Sequence, residues 1–208
     1  MPVSDASKVG TVRRAVIGAI EGGAERVVLS GDRRGIARRA IEDLSAAVDL
    51  HVLEAPLADT AQNTRSAAAA CREMNVGAVI VLGGDGTHRD VAKGWRDAPM
   101  VALSTGTNNV FPRHDEATVA GEAAALVACE KVALGEVSFQ AKTIDVVVDG
   151  APADLGLVDV ALTDDRFTAS RAVWDPSKVR EIIATIAEPG SVGLSAVAAA
   201  IAPIDRRV

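Results

Sequence analysis

The chain contains no tyrosine, and its aromatic fraction is only 2%. Binders of single-stranded nucleic acid use aromatic rings as stacking platforms, so this composition removes their main device. Basic residues are in the minority: 22 Lys and Arg against 28 Asp and Glu give a formal net charge of −6. No global basic surface exists to hold a polyanion, and nucleic acid is not expected as a partner. An anionic ligand must instead be held locally, by backbone amides and a few side chains. Cysteine is scarce. Cys71 and Cys129 lie far apart with no C-x-x-C spacing, each in an Ala-rich stretch that reads as helix, and both are expected to be buried or half-buried thiols. The three histidines, His51, His88 and His114, form no H-x-x-x-H pattern, so no dedicated metal centre is expected. Met1 to Lys8 is polar, and no apolar run has the length of a membrane span. A soluble, cytoplasmic protein is the expectation.

What is present is a large aliphatic content: 49% of the 208 residues are hydrophobic, mostly Ala, Val, Ile and Leu, enough for a substantial core. Val9, Val12, Val16, Ile17 and Ile20 recur at helical spacing until Gly22 and Gly23 end the pattern. A strand over Arg26 to Leu29, a helix over Gly35 to Ala47 and a strand over Leu50 to Leu53 follow. A helix over Asn63 to Met74 leads into the strongest strand, Ala78 to Leu82; another helix begins near Thr87 and precedes a strand over Val101 to Leu103. This alternation predicts an α/β fold with a doubly wound parallel sheet over residues 1–135. After Glu136 the pattern changes. Thr143 to Val148, the tight-turn pair Asp149-Gly150 and Ala153 to Leu162 predict a β-hairpin. Arg166 to Trp174 is a candidate third strand, and Asp175-Pro176 reads as the cap of a helix over Ser177 to Ala187. Residues 136–208 are therefore expected to form a partial antiparallel β region with a helix, an incomplete second domain that ends abruptly at Arg206-Arg207-Val208.

The residues with chemical meaning fall in two loops. Gly83-Gly84-Asp85-Gly86-Thr87 stands directly after a buried strand and before a helix, with Thr87 and Asp90 resembling a capping pair. Glycines let ligand oxygens approach the amides without meeting a Cβ, and a helix N-terminus adds N–H donors and partial positive charge. A carboxylate beside such a loop is unfavourable for phosphate unless Asp85 has work there, such as orienting a hydroxyl nucleophile or helping to hold Mg²⁺ through water. Ser104-Thr105-Gly106-Thr107-Asn108-Asn109 follows the next strand, one crossover later. If the two strands are parallel neighbours, both loops leave the carboxyl edge, where α/β sheets bind ligands, and Gly106 to Asn109 would face Asp85.

G-G-D-G-T followed by a strand and G-T-x-N resembles the superfamily of NAD kinases and diacylglycerol- and sphingosine-type lipid kinases. The segment Ser104 to Pro112, STGTNNVFP, is most similar to the branch of ATP-NAD kinase-like proteins that includes the acetoin-catabolism X proteins. The resemblance implies that Asp85 activates the acceptor hydroxyl. It implies that Gly83, Gly84, Gly86 and Thr87 contact phosphate, and that Gly106, Thr107, Asn108 and Asn109 contact nucleotide. Asp159 stands where NAD kinases carry the acid of an Asn-Glu pair, and Ser195 lies in a weak echo of their G-S-T-A-Y segment. Related chains also open with a strand carrying an Asn-Pro-x-Ser-Gly-like loop and continue further, so both ends of this chain are expected to be trimmed.

The expected function is ATP-dependent phosphorylation of NAD or a related nucleotide at a ribose hydroxyl, with ATP and Mg²⁺ as cofactors. Phe111 and Arg113 match lipid kinases of the superfamily, which keeps a lipid or small-molecule hydroxyl kinase as an alternative. A non-catalytic nucleotide-binding or regulatory module is the third reading. Asp159 is equally readable as a surface charge of an edge strand. His88 reads as a surface residue of a first helical turn, Asp90 as a residue that caps or solvates the helix N-terminus, and Arg113 and His114 equally as positive charge for a phosphate or as solvated loop charges. Open strand edges in an incomplete β domain would favour a homo-oligomer.

Overall fold

The structure, a computed structural model, describes residues 4–44, 48–54, 60–164 and 176–207. The chain divides into two compact units: Met1–Thr107 with Pro112–Ser138, and Asn108–Phe111 with Phe139–Val208.

The first unit opens with α1 (Asp5–Glu21), whose N-cap Ser4 accepts a hydrogen bond from the Ser7 amide. Gly22 and Gly23 end it, the latter at φ 99°, and Lys131 Nζ donates to the Gly22 carbonyl. β1 (Arg26–Leu29) and β2 (Asp49–Val52) pair in parallel around α2 (Ile36–Ile41). α2 is shorter than its sequence pattern, and residues 45–47 lie outside the described set. α3 (Ala61–Glu73) leads to β3 (Val79–Gly83), α4 (Asp85–Gly94) and β4 (Met100–Ser104), with β3 and β4 parallel. α5 (Ala117–Ala128) and the short α6 (Leu134–Val137) complete the unit. The fold is α/β as expected, but among the described residues its four parallel strands pair two by two rather than in one continuous ladder.

α5 packs directly on α1, and small residues permit it. A Cβ on Gly121 would fall on the Ala15 carbonyl oxygen, and one on Gly18 would fall on that of Thr118. Glu116 caps α5 by accepting from the Thr118 and Val119 amides, and it also takes a 3.1 Å bond from Arg14 Nε of α1. Ala15, Leu103, Ala117 and Ala120 form one core cluster under Ile80, Leu82 and Val101. Cys71 is half-buried as expected, whereas Cys129 is exposed, because it sits at the end of α5 rather than on its packed face.

In the second unit β5 (Ile144–Val148) and β6 (Ala151–Gly156) form the predicted hairpin. Asp149 and Gly150 both have positive φ, 51° and 80°, as a two-residue primed turn requires. The predicted second strand is split: the chain bends through buried Leu157 and Val158 before β7 (Asp159–Thr163). β7 pairs antiparallel with β8 (Val179–Ala184). This corrects the helix expected over Ser177 to Ala187. Pro176–Lys178 makes a single 3₁₀ turn, and then Val179, Ile182 and Ile183 join a ladder, as β-branched residues favour. The candidate strand Arg166 to Trp174 and the proposed cap Asp175 lie outside the described residues. Among the described residues, the unit's α-helix comes later, as α7 (Gly193–Ile201). No described helix is long and apolar enough to cross a membrane.

Candidate functional site

The two motif loops of the first unit leave one strand edge side by side. Gly83, the last residue of β3, is the register partner of Ser104, the last residue of β4. The Thr105 amide donates to the Gly83 carbonyl at 3.4 Å, and Ser104 Oγ donates to the Gly106 carbonyl at 3.0 Å. The chain returns at Arg113, whose amide donates to Ala102 and whose carbonyl accepts from the Ser104 amide at 2.7 Å. The loop after β4 is therefore rooted at both ends, with one root on the glycine-rich turn.

Gly84 is the N-cap of α4, extended at φ −95° and ψ −175°, and Asp85 is the first helical residue. The amides of Thr87 and His88 both donate to the Gly84 carbonyl. Asp85 thus sets a carboxylate side chain in the first turn of α4, beside the positive end of the helix dipole. Gly83 is required for packing: a Cβ there would lie 2.6 Å from the Thr87 side chain. A Cβ on Gly86 would meet nothing within 4 Å, so that face of the turn is open. Thr87 and Asp90 do not form the expected capping pair, because the cap lies at Gly84 and Asp90, in the second turn of the helix, faces the packed side toward α3. Its Oδ1 accepts from Arg65 Nε at 2.8 Å, a half-buried ion pair between α3 and α4.

His88 is fully buried, which corrects its reading as a surface residue. It shares the core face of α4 with Val91, Ala92 and Trp95, at helical spacing that the sequence already contained. Its Nδ1 lies 2.8 Å from the Gly84 carbonyl oxygen. Burial lowers its pKa, outweighing the Gly84 and Val81 carbonyls and the Asp85 charge, which act to raise it. The imidazole is thus neutral and holds the backbone of the turn.

A cleft of about 490 Å³ adjoins the turn, lined by Ser30 and Gly31 after β1, by Thr60, Asn63 and Thr64 at the start of α3, and by Gly86, Thr87 and Asp90 on α4. Two helix N-termini border it, and Thr60 makes no side-chain cap bond. Helix starts with hydroxyl and amide side chains suit an anion. Arg65 balances the Asp90 carboxylate beside it. Sequence reading missed Ser30, Gly31, Thr60, Asn63 and Thr64. The available signal was a small or hydroxyl residue directly after a strand or directly before an Ala-rich helix.

Of the residues singled out from sequence, Gly83, Gly84, Asp85, Gly86, Thr87, Gly106 and Thr107 belong to the first unit and follow directly from adjacent strand ends. Asn108 and Asn109 begin the short segment that belongs to the second unit, together with Asp159 and Ser195. Asp159 is half-buried at the start of β7, in register with Ala184. Ser195 is fully buried in α7, and its hydroxyl donates to the Ile186 carbonyl at 2.7 Å, which ties the helix to the end of β8.

Residues 23–132 match the ATP-NAD kinase N-terminal domain, and residues 142–208 match the Acetoin catabolism protein X C-terminal domain. Acetoin catabolism protein X of Cupriavidus necator is 33% identical over 214 residues, covering 97% of this chain and 59% of that protein. The chain therefore spans less than two thirds of that relative's length. No solved structure gives a significant match.

Proposed function

Because the chain belongs to the ATP-NAD kinase family, we propose that it serves ATP-dependent phosphorylation of NAD or a closely related nucleotide at a ribose hydroxyl. The observation that carries this reading is the parallel register of Gly83 with Ser104, which sets the Asp85 turn beside the Gly106-Thr107 loop. The adjoining cleft adds a place for phosphates.

The donor set fits a polyphosphate. Ser30, Thr60, Asn63, Thr64 and Thr87 supply hydroxyl and amide groups, and the starts of α3 and α4 supply positive dipole ends without adding net charge. Mg²⁺ is bound in such sites by one or two carboxylates together with the phosphates themselves, and Asp85 is the residue that would hold it, through water. When bound with ATP it neutralises charge developing on the transferred phosphoryl group.

The chain's own residues do the rest. Asp85 orients the acceptor hydroxyl and takes its proton late, since the transition state of phosphoryl transfer is loose and proton removal lags. Gly86, with its open Cα face, lets phosphate oxygens approach the first turn of α4. Neutral His88 keeps the Gly84 carbonyl turned into the helix, so the turn arrives preorganised and needs little rearrangement on binding.

Isothermal titration with NAD, and separately with ATP and Mg²⁺, tests the reading without requiring turnover. Saturable binding of both, with constants of about 1 μM to 1 mM, is expected. Absence of heat with either ligand on the folded chain overturns it.

A further inference from the structure

The basic pair at the end of the chain has no place in the site described above, yet Arg206 is among the least exposed charged side chains of the second unit, at 11%. All three of its guanidinium nitrogens donate. Nε donates to Glu188 Oε1 at 2.6 Å, and a terminal nitrogen reaches Oε2 of the same carboxylate. The two terminal nitrogens also donate to backbone carbonyls, of Phe111 at 3.2 Å and Val110 at 3.3 Å. The hydrogen bonds that Arg206 donates to Glu188 raise its pKa, outweighing burial, which opposes the charge.

The segment that carries Arg206 is itself fixed. Ile204 exchanges backbone hydrogen bonds with Ala187 at 2.9 Å in both directions, and Arg207 bridges to Ala141. Lys142 Nζ donates to the Asp205 carbonyl at 2.7 Å, and the Arg207 guanidinium lies 5.5 Å from the centroid of the Phe139 ring. A rigid strand-like tail thus holds a planar, five-donor group against two consecutive carbonyls, a geometry that a lysine's compact ammonium cannot reproduce.

We propose that Arg206, braced by Glu188, is a positioning residue for the Asn108–Phe111 segment: it fixes the backbone that immediately follows Asn108 and Asn109, and so sets the specificity of their contacts with a nucleotide. The inference rests on the reading of those two asparagines as nucleotide contacts. It assigns the tail a role in shaping that segment beyond side-chain packing, since Arg206 holds Val110 and Phe111 by their backbone carbonyls.

The test combines hydrogen exchange of peptides spanning residues 105–113, read without ligand, with calorimetric affinity for NAD, on the full chain. Arg206→Lys, which keeps the charge and removes the fork, is expected to speed exchange at 108–111 and weaken NAD binding, each on the order of tenfold. Exchange in α1 and α5 should stay unchanged. The swap Arg206→Glu with Glu188→Arg restores an ion pair but offers no donor from position 206 to the two carbonyls. It is expected to recover thermal stability while leaving the segment loose and NAD affinity low. Unchanged exchange at 108–111 in Arg206→Lys overturns the inference, as does a loosened segment with unchanged NAD affinity, or full recovery of both by the swap. If the unsubstituted chain binds no NAD, the reading of the site fails instead, and the ligand-free exchange still reports on the clamp by itself.

Discussion

The imidazole Nδ1 of His88 lies 2.8 Å from the carbonyl oxygen of Gly84, so a fully buried, neutral ring on the core face of α4 holds the turn that opens the same helix. A group essential to the shape of the turn is therefore also a titratable one.

Acid should weaken the fold through this residue. In the unfolded chain His88 takes a proton near its ordinary value of 6.5, whereas burial lowers its pKa in the folded state. Below about pH 6.5 the unfolded state binds the extra proton, so stability falls with pH until the lowered folded pKa is passed. His88→Asn leaves a donor near the Nδ1 position and removes the titration. Urea unfolding at pH 8, 7, 6 and 5 is expected to show a shallower loss of stability in His88→Asn than in the parent. Parallel curves for the two proteins would contradict the assignment.

Gly121→Ala is expected to destabilise the first unit by about 1–3 kcal/mol, the usual range for overpacking. The added methyl meets the Ala15 carbonyl oxygen and the Ala19 amide nitrogen, both backbone atoms of α1 that cannot rotate away. Chemical denaturation measures this directly, and a stability equal to the parent's would mean that α1 and α5 are not held at this approach.

Gly86→Ala separates stability from binding. Nothing lies within 4 Å of the new Cβ, and alanine favours a helix over glycine by about 1 kcal/mol, so the fold should be unchanged or slightly stabilised. The same methyl obstructs the approach of phosphate to the first turn of α4, so calorimetric affinity for ATP with Mg²⁺ should fall on the order of tenfold or more, as loss of a charge-assisted hydrogen bond implies. Unaltered affinity would remove the open face of the turn from the binding site.

These sites differ in how far the local sequence reveals them. β3, β4 and the Asp149-Gly150 hairpin follow from local chemistry: aliphatic runs, turn residues and glycines whose conformational needs are met within a few positions. The sequence of β8 reads as a helix because Asp175-Pro176 carries a strong local signal for one, while the competing preference comes from pairing with β7, elsewhere in the chain. His88 looked like surface because it is polar, although Val91 and Trp95 three and seven places on mark its face as the buried one. The cleft lining at Ser30, Thr60 and Asn63 depends on three loops meeting, and Arg206 acts on Phe111 across a separation of 95 residues. No window of sequence holds either relationship.

The most direct test of the kinase reading is transfer of labelled phosphate from ATP to NAD by the chain and by Asp85→Asn, alongside their affinities for both nucleotides. The account predicts transfer by the parent, a loss of about two to four orders of magnitude in turnover for the variant, and an NAD affinity that barely moves, because Asp85 acts on the hydroxyl and its proton; affinity for ATP with Mg²⁺ falls only modestly, since the carboxylate would reach the metal through water. Turnover undiminished in Asp85→Asn, or no transfer at all by a parent chain that binds both nucleotides, would contradict it.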